Sequence, residues 1–94
     1  MTSQQESILH SNRCIALANK RSFERAIADC DEAIRLDPKS VAAYNNRGYA
    51  CIEKGEVDRA IADYDEAIRL NQMNVSSYLG RGNALQTTWQ CLAD

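Results

Sequence analysis

The chain has 94 residues, 45% hydrophobic and 26% charged, which fits one small soluble domain over residues 1–94. Eleven Lys and Arg against 13 Asp and Glu give a formal net charge of −2, which excludes the broad basic field of a nonspecific nucleic-acid binder. No run is apolar enough to span a bilayer and the N-terminus has no secretory pattern, so neither membrane insertion nor export is expected, and the setting is read as cytoplasmic.

In chain order, Ser3 and Glu6 have capping-box spacing, which predicts a first helix from near Gln4. Pro38 closes a second helical segment, and Ser40 is an N-cap candidate for the next. Segment 41–54 places Ala43, Tyr44, Arg47, Gly48, Ala50 and Cys51 on one face at helical spacing, with Gly55 as a stop. Segment 57–70 does the same with Val57, Ala60, Ile61, Tyr64, Ala67 and Ile68, and Asn74 is the next N-cap candidate. Asp31 and Arg35, like Asp65 and Arg69, have the acid-before-base spacing of a helical ion pair.

Self-similarity dominates the sequence. Arg25-Ala26-Ile27-Ala28-Asp29 returns as Arg59-Ala60-Ile61-Ala62-Asp63, and Asp31-Glu32-Ala33-Ile34-Arg35-Leu36 returns as Asp65-Glu66-Ala67-Ile68-Arg69-Leu70, both shifted by 34 residues. Two units, 7–40 and 41–74, are followed by a partial unit 75–94 in which Tyr78, Arg81, Gly82 and Ala84 repeat Tyr44, Arg47, Gly48 and Ala50. Each full unit reads as a helical hairpin whose narrow apolar stripe needs a neighbour to cover it. The small residues Ala26, Ala60, Ala33 and Ala67, with Cys14, Gly48 and Gly82, mark the columns where helix axes should come closest.

A 34-residue two-helix unit with these columns resembles the tetratricopeptide repeat. The second unit supplies Tyr44, Arg47-Gly48, Cys51, Ala60, Tyr64 and Gln72, and the first His10, Arg13-Cys14, Leu17, Ala26, Cys30 and Pro38. It is similar in particular to the subgroup of bacterial arrays with Asn-Asn-Arg-Gly and Asp-Arg-Ala-Ile-Ala-Asp-Tyr units. The resemblance implies an all-α fold, an α-α superhelix (a right-handed solenoid) of two helical hairpins and a C-terminal capping helix. Two departures stand out: Gln72 replaces the usual Pro, and the repeat pattern stops after Gln86.

The resemblance also implies a function: a noncatalytic module that binds a protein or peptide partner in the concave groove lined by the first helix of each unit. Groove positions carried over are Ile8, Ser11, Ile15 and Asn19; Ala42, Asn45, Tyr49, Ile52 and Glu53; and Ser76, Leu79, Asn83 and Gln86. Of these, Ile15, Asn45, Tyr49, Ile52, Leu79 and Asn83 are the expected ligand contacts, apolar side chains beside a few amides. Some members of the family grip a C-terminal carboxylate with a Lys, Asn and Arg clamp. Only Asn46 matches that clamp, since Ser11, Ser76, Gly80 and Ile15 hold its other positions, so recognition of that type is not expected. The alternative function is self-association. The third unit lacks a hairpin mate, so either its tail continues as a helical lid, or Leu85, Trp89 and Leu92 pair with a second copy in a homodimer.

Other constellations read as structural. Arg13, Arg47 and Arg81 recur at the repeat period and are expected to pair with carboxylates such as Asp29 or Asp63 rather than to bind an acidic ligand. The acidic residues Asp29, Asp31, Glu32, Asp63, Asp65 and Glu66 read as solvated helix faces, not a calcium cage. His10 and Cys14 lie four apart, but an orienting acid and an oxyanion site are missing, so no enzyme is read here. Cys14, Cys30, Cys51 and Cys91 have neither metal spacing nor an extracellular context, and are expected as reduced packing thiols. No metal or cofactor is called for.

Overall fold

The computed structural model describes residues 1–93, apart from the side chains of residues 91 and 93, so the reading of Cys91 lies outside the described residues. Five helices follow one another: α1 (Ser3–Asn19), α2 (Phe23–Leu36), α3 (Val41–Lys54), α4 (Val57–Leu70) and α5 (Val75–Ala93). No strand occurs among the described residues. The all-α expectation holds, with two hairpins and a fifth helix that runs unbroken through the region where the repeat pattern ends.

Local chemistry sets the boundaries. The capping box at the start of α1 lies one residue earlier than expected: Gln5 donates its backbone N–H to Thr2 Oγ1 at 3.1 Å, and Thr2 returns its own N–H to Gln5 Oε1 at 2.9 Å. Ser40 caps α3 by accepting from the Ala43 N–H, and Asn74 caps α5 by accepting from the Ser77 N–H. Gly55 ends α3 in the left-handed conformation at φ 99°. Its counterpart one repeat earlier is Arg21, which adopts φ 66° without being glycine and lays its guanidinium over the Phe23 ring, 5.2 Å from the centroid.

Packing follows the alanine columns. Ala26, Ala33, Ala43, Ala50, Ala60, Ala67 and Ala84 are all fully buried. The first helices of successive hairpins pack backbone to backbone, α1 against α3 and α3 against α5, whereas α2 and α4 stay apart along their backbones and are linked by the Arg59–Asp31 ion pair at 3.8 Å. A stack joined along one side and splayed along the other curves, and its concave side is the one lined by α1, α3 and α5.

Within each hairpin the closest approach uses a different device. In the second, Gly48 makes room for the Tyr64 ring: a Cβ built on Gly48 would lie 2.9 Å from Tyr64 Cε2. The opposite ring edge meets Gly80 of α5, where an added Cβ would come within 2.2 Å of Tyr64 Cε1. Tyr64 is thus held between two glycines from two helices, and burial pushes its hydroxyl pKa up to about 12. In the first hairpin the same two columns hold Cys14 and Cys30, and they form a disulfide with their Cα atoms 5.4 Å apart. The expectation of reduced thiols is therefore corrected for this pair. The physical reason is that both residues sit where facing helices come closest, just as Gly48 and Tyr64 do 34 residues later. Cys51 remains a buried thiol, its pKa raised by burial to about 11.

Gly82 is a second correction. It shares the column of Cys14 and Gly48 but has no atom within 4 Å of an added Cβ, because no helix among the described residues covers that side of α5. The close approach on α5 belongs to Gly80 instead. Gly80→Ala is therefore expected to lower stability by about 1–3 kcal/mol through overpacking against a ring that cannot swing away. Gly82→Ala should be neutral or stabilise by up to about 1 kcal/mol through helix propensity. Urea unfolding of the two variants checks the contrast. Separately, alkylation of the denatured chain should label Cys14 and Cys30 only after reduction, as read by peptide mass; labelling without reductant would refute the bond.

Candidate functional site: the concave groove and the arginine ladder

The helical groove is built from α1, α3 and α5. Tyr49 projects from α3 and donates its hydroxyl to Asn19 Oδ1 on α1 at 3.2 Å, which bridges the first two helices across the concavity. Beside it opens a cavity of about 400 Å³ lined by Tyr49, Ile52, Glu53, Asn83, Gln86 and Gln90, with the Tyr64 ring at its base. Three of the six expected contacts, Tyr49, Ile52 and Asn83, therefore share one cavity. Ile15 is half-buried on α1, and Leu79 is 63% exposed on α5; neither lines it.

Two amides are already engaged. Asn45 accepts from the Ser77 hydroxyl at 2.8 Å and donates to Asn74 Oδ1 at 3.4 Å, so it ties α3 to the start of α5. Asn46 donates to both the backbone carbonyl and the hydroxyl of Ser11, at 3.0 and 2.9 Å. Ser11 is buried and donates nothing to the groove surface, although its column placed it there. Glu53 is the one charged side chain lining the cavity. Gln90 and Thr87 also line it and were not anticipated, because they lie beyond the point where the repeat pattern stops.

The arginine ladder ties the first helices to the second helices. Arg13 donates to both carboxylate oxygens of Asp29, each at 2.7 Å. Arg47 makes the equivalent bidentate contact to Asp63 and also reaches back to Asp31 of the preceding hairpin at 2.8 Å. Arg81 reaches back to Asp65 at 3.2 Å. Every partner is 16 residues before or after its arginine. Asp29 and Asp63 are thus buried partners, not solvated surface. Arg35 and Arg69 pair with Glu32 and Glu66, because Asp31 and Asp65 serve the ladder. Burial works against the Arg47 charge, but the hydrogen bonds it donates to Asp63 and Asp31, and the charge of those carboxylates, outweigh it and raise its pKa.

The remaining candidates fall elsewhere. The Cys14 sulfur is bonded to Cys30 and offers no thiol to His10, whose Nδ1 lies 3.4 Å from Asp29 Oδ1 instead. Leu85, Trp89 and Leu92 stay uncovered along α5, Trp89 and Leu92 being 72% and 76% exposed. At the other end, Met1, Ile8 and Leu9 form an apolar patch that the repeat columns did not single out, except for Ile8. No group of side chains able to hold a metal, and no helix long and apolar enough to cross a membrane, occurs among the described residues.

A curved stack of helical hairpins with its open side formed by every first helix defines the class of α-solenoid interaction domains. The chain belongs to the tetratricopeptide repeat family: the pattern described as "TPR repeat" matches residues 48–88, and two patterns described as "Tetratricopeptide repeat" match 30–62 and 12–40. Stress-induced-phosphoprotein 1 of Caenorhabditis elegans is 45% identical over 40 residues, 43% of this chain and 12% of that protein. Among solved structures, the first TPR domain of human RPAP3 aligns with a TM-score of 0.85 at 25% identity, covering 90% of this chain and 67% of that one. The first TPR of Spaghetti (RPAP3), bound to the HSP90 peptide SRMEEVD, aligns with a TM-score of 0.81 at 26% identity, covering 87% and 65%. The chain thus spans a small part of its curated relative and about two thirds of these solved domains.

The Arg13–Asp29 contact predicts a pH dependence. The Arg13 hydrogen bonds hold the Asp29 carboxyl below its ordinary pKa, so the pair adds stability above pH ~4 that is lost as pH falls through the lowered folded value. Asp29→Asn should flatten the acid limb of thermal stability measured by circular dichroism. An unchanged acid limb would show that Asp29 is not the titrating partner.

Proposed function

We propose that the protein is a noncatalytic interaction module that takes a peptide or partner helix in the groove of α1, α3 and α5. The observation that carries this reading is the cavity beside Tyr49, where an aromatic, an isoleucine and free amides converge on the concave side. The solved neighbour bound to SRMEEVD supports peptide binding by this fold. It does not carry its ligand over. Glu53 is the only charge in the cavity and Asn46 is engaged by Ser11, so nothing there answers an acidic tail. Neutral or basic segments with one apolar anchor suit the groove better.

Homodimerisation through Leu85, Trp89 and Leu92 is a weaker reading. It rests on the exposure of those side chains, and α5 offers no acidic residue to Arg81 of a second copy.

Panning a random peptide display library on the whole protein tests the main reading. Selected peptides should bind at least about tenfold more weakly to Tyr49→Ala and Asn83→Ala, the loss expected for a central anchor. The SRMEEVD peptide should fail to bind. Enrichment of acidic C-terminal sequences, or selected peptides indifferent to Tyr49→Ala, would sink it.

A further inference from the structure

The α5 helix presents a complete, empty copy of the surface by which α3 holds α4. In α3 the stripe is Tyr44, Gly48 and Cys51, flanked by Arg47; 34 residues later α5 carries Tyr78, Gly82 and Leu85, flanked by Arg81. Local geometry is preserved: Arg47 lies over the Tyr44 ring at 5.5 Å, and Arg81 over the Tyr78 ring at 5.4 Å. The adjoining side of α5 is buried as in α3, with Ser77 and Ala84 at the positions of Ala43 and Ala50. Only the covering helix differs. Gly48 is filled by Tyr64 while Gly82 faces open space, and Cys51 is buried while Leu85 is 45% exposed.

Charge shows what is missing. Arg47 grips one carboxylate 16 residues behind it and another 16 residues ahead, and its side chain is 19% exposed. Among the described residues Arg81 holds only the one behind, Asp65, and its side chain is 37% exposed. The vacant half of Arg81 therefore asks for an aspartate on a covering helix, in the place Asp63 has on α4. A second α5 cannot supply it, since Val75–Ala93 contains no acidic residue. Nor does α5 turn where α3 does: Trp89 stands at the position of the Gly55 turn, and the helix continues through it to Ala93.

We propose that this face of α5 is a docking site for an amphipathic helix of another polypeptide that carries the α4 register. In that register a small residue is followed three positions later by Asp, then directly by a bulky side chain, with a second small residue three positions further on. The small-Asp-small spacing is common to both covering helices, Ala26-Asp29-Ala33 in α2 and Ala60-Asp63-Ala67 in α4; the bulky side chain is Tyr64 in α4, where α2 has the disulfide-bonded Cys30. The bulky side chain enters the gap at Gly82, the Asp completes the Arg81 pairing, and the helix covers Leu85 and Trp89. This site lies on a different face from the groove and does not depend on it.

The probe is a synthetic helix with the sequence of Val57–Leu70, stapled between the positions of Asp58 and Ala62, both exposed in α4. Titrated into the whole protein and followed by fluorescence anisotropy, it should bind. Gly82→Leu, which fills open space on a helix that tolerates it, should weaken binding by about tenfold or more with the circular dichroism unchanged. An Asp63→Asn version of the probe should also bind more weakly. No binding, or binding indifferent to Gly82→Leu, overturns the proposal. So does a concentration-dependent dimer that Gly82→Leu abolishes, because a second copy would then own the face.

Discussion

The ring of Tyr64 lies between two helices that could not approach so closely if either carried a side chain there. Gly48 admits one edge and Gly80 the other, so a single residue of α4 fixes its distance to α3 and to α5 at once. Helices of fourteen residues have little stability alone, and nearly all of it in this chain comes from such contacts. The groove inherits its shape from the same wedge, because Tyr64 also forms the base of the cavity beside Tyr49. The first hairpin solves the same spacing problem with a covalent bond between Cys14 and Cys30.

The arginine ladder adds orientation to this packing. Apolar columns of alanine tolerate sliding, since each small residue resembles the next. A guanidinium that meets carboxylates on two hairpins does not tolerate it, as a shift of one turn would leave buried Asp63 without its partner. Arg47 therefore reads register in two directions, and the half-matched Arg13 and Arg81 mark the two ends of the run.

Much of this was legible in the residues. The 34-residue period gave the helices, the turn at Gly55, the caps at Ser40 and Asn74, and the pairing of Arg13 and Arg47 with Asp29 and Asp63. What it missed has a common physical cause: a column predicts a contact only if its partner column exists and is occupied as usual. Gly82 was placed in a tight column that has no opposite helix among the described residues, and the close contact at Gly80 was missed because its partner ring comes from the preceding hairpin. The Cys14–Cys30 bond was within reach, since these residues fill the columns of Gly48 and Tyr64, but reading the cysteines by compartment hid that pairing. In the groove, sequence could name Tyr49, Ile52 and Asn83 as neighbours. It could not show that Asn45 is consumed by Ser77, because that hydrogen bond joins residues outside any repeated pattern.

The disulfide sits in the first hairpin alone, and the uncovered helix lies at the far end. That gives the stack a mechanical direction. Among the described residues α5 packs only on α3 and α4, so within this stack opening costs less there than at α1 and α2, where the chain is tethered to itself. Such a molecule frays like a rope whipped at one end, keeping its N-terminal pair as a seed from which the rest can re-form.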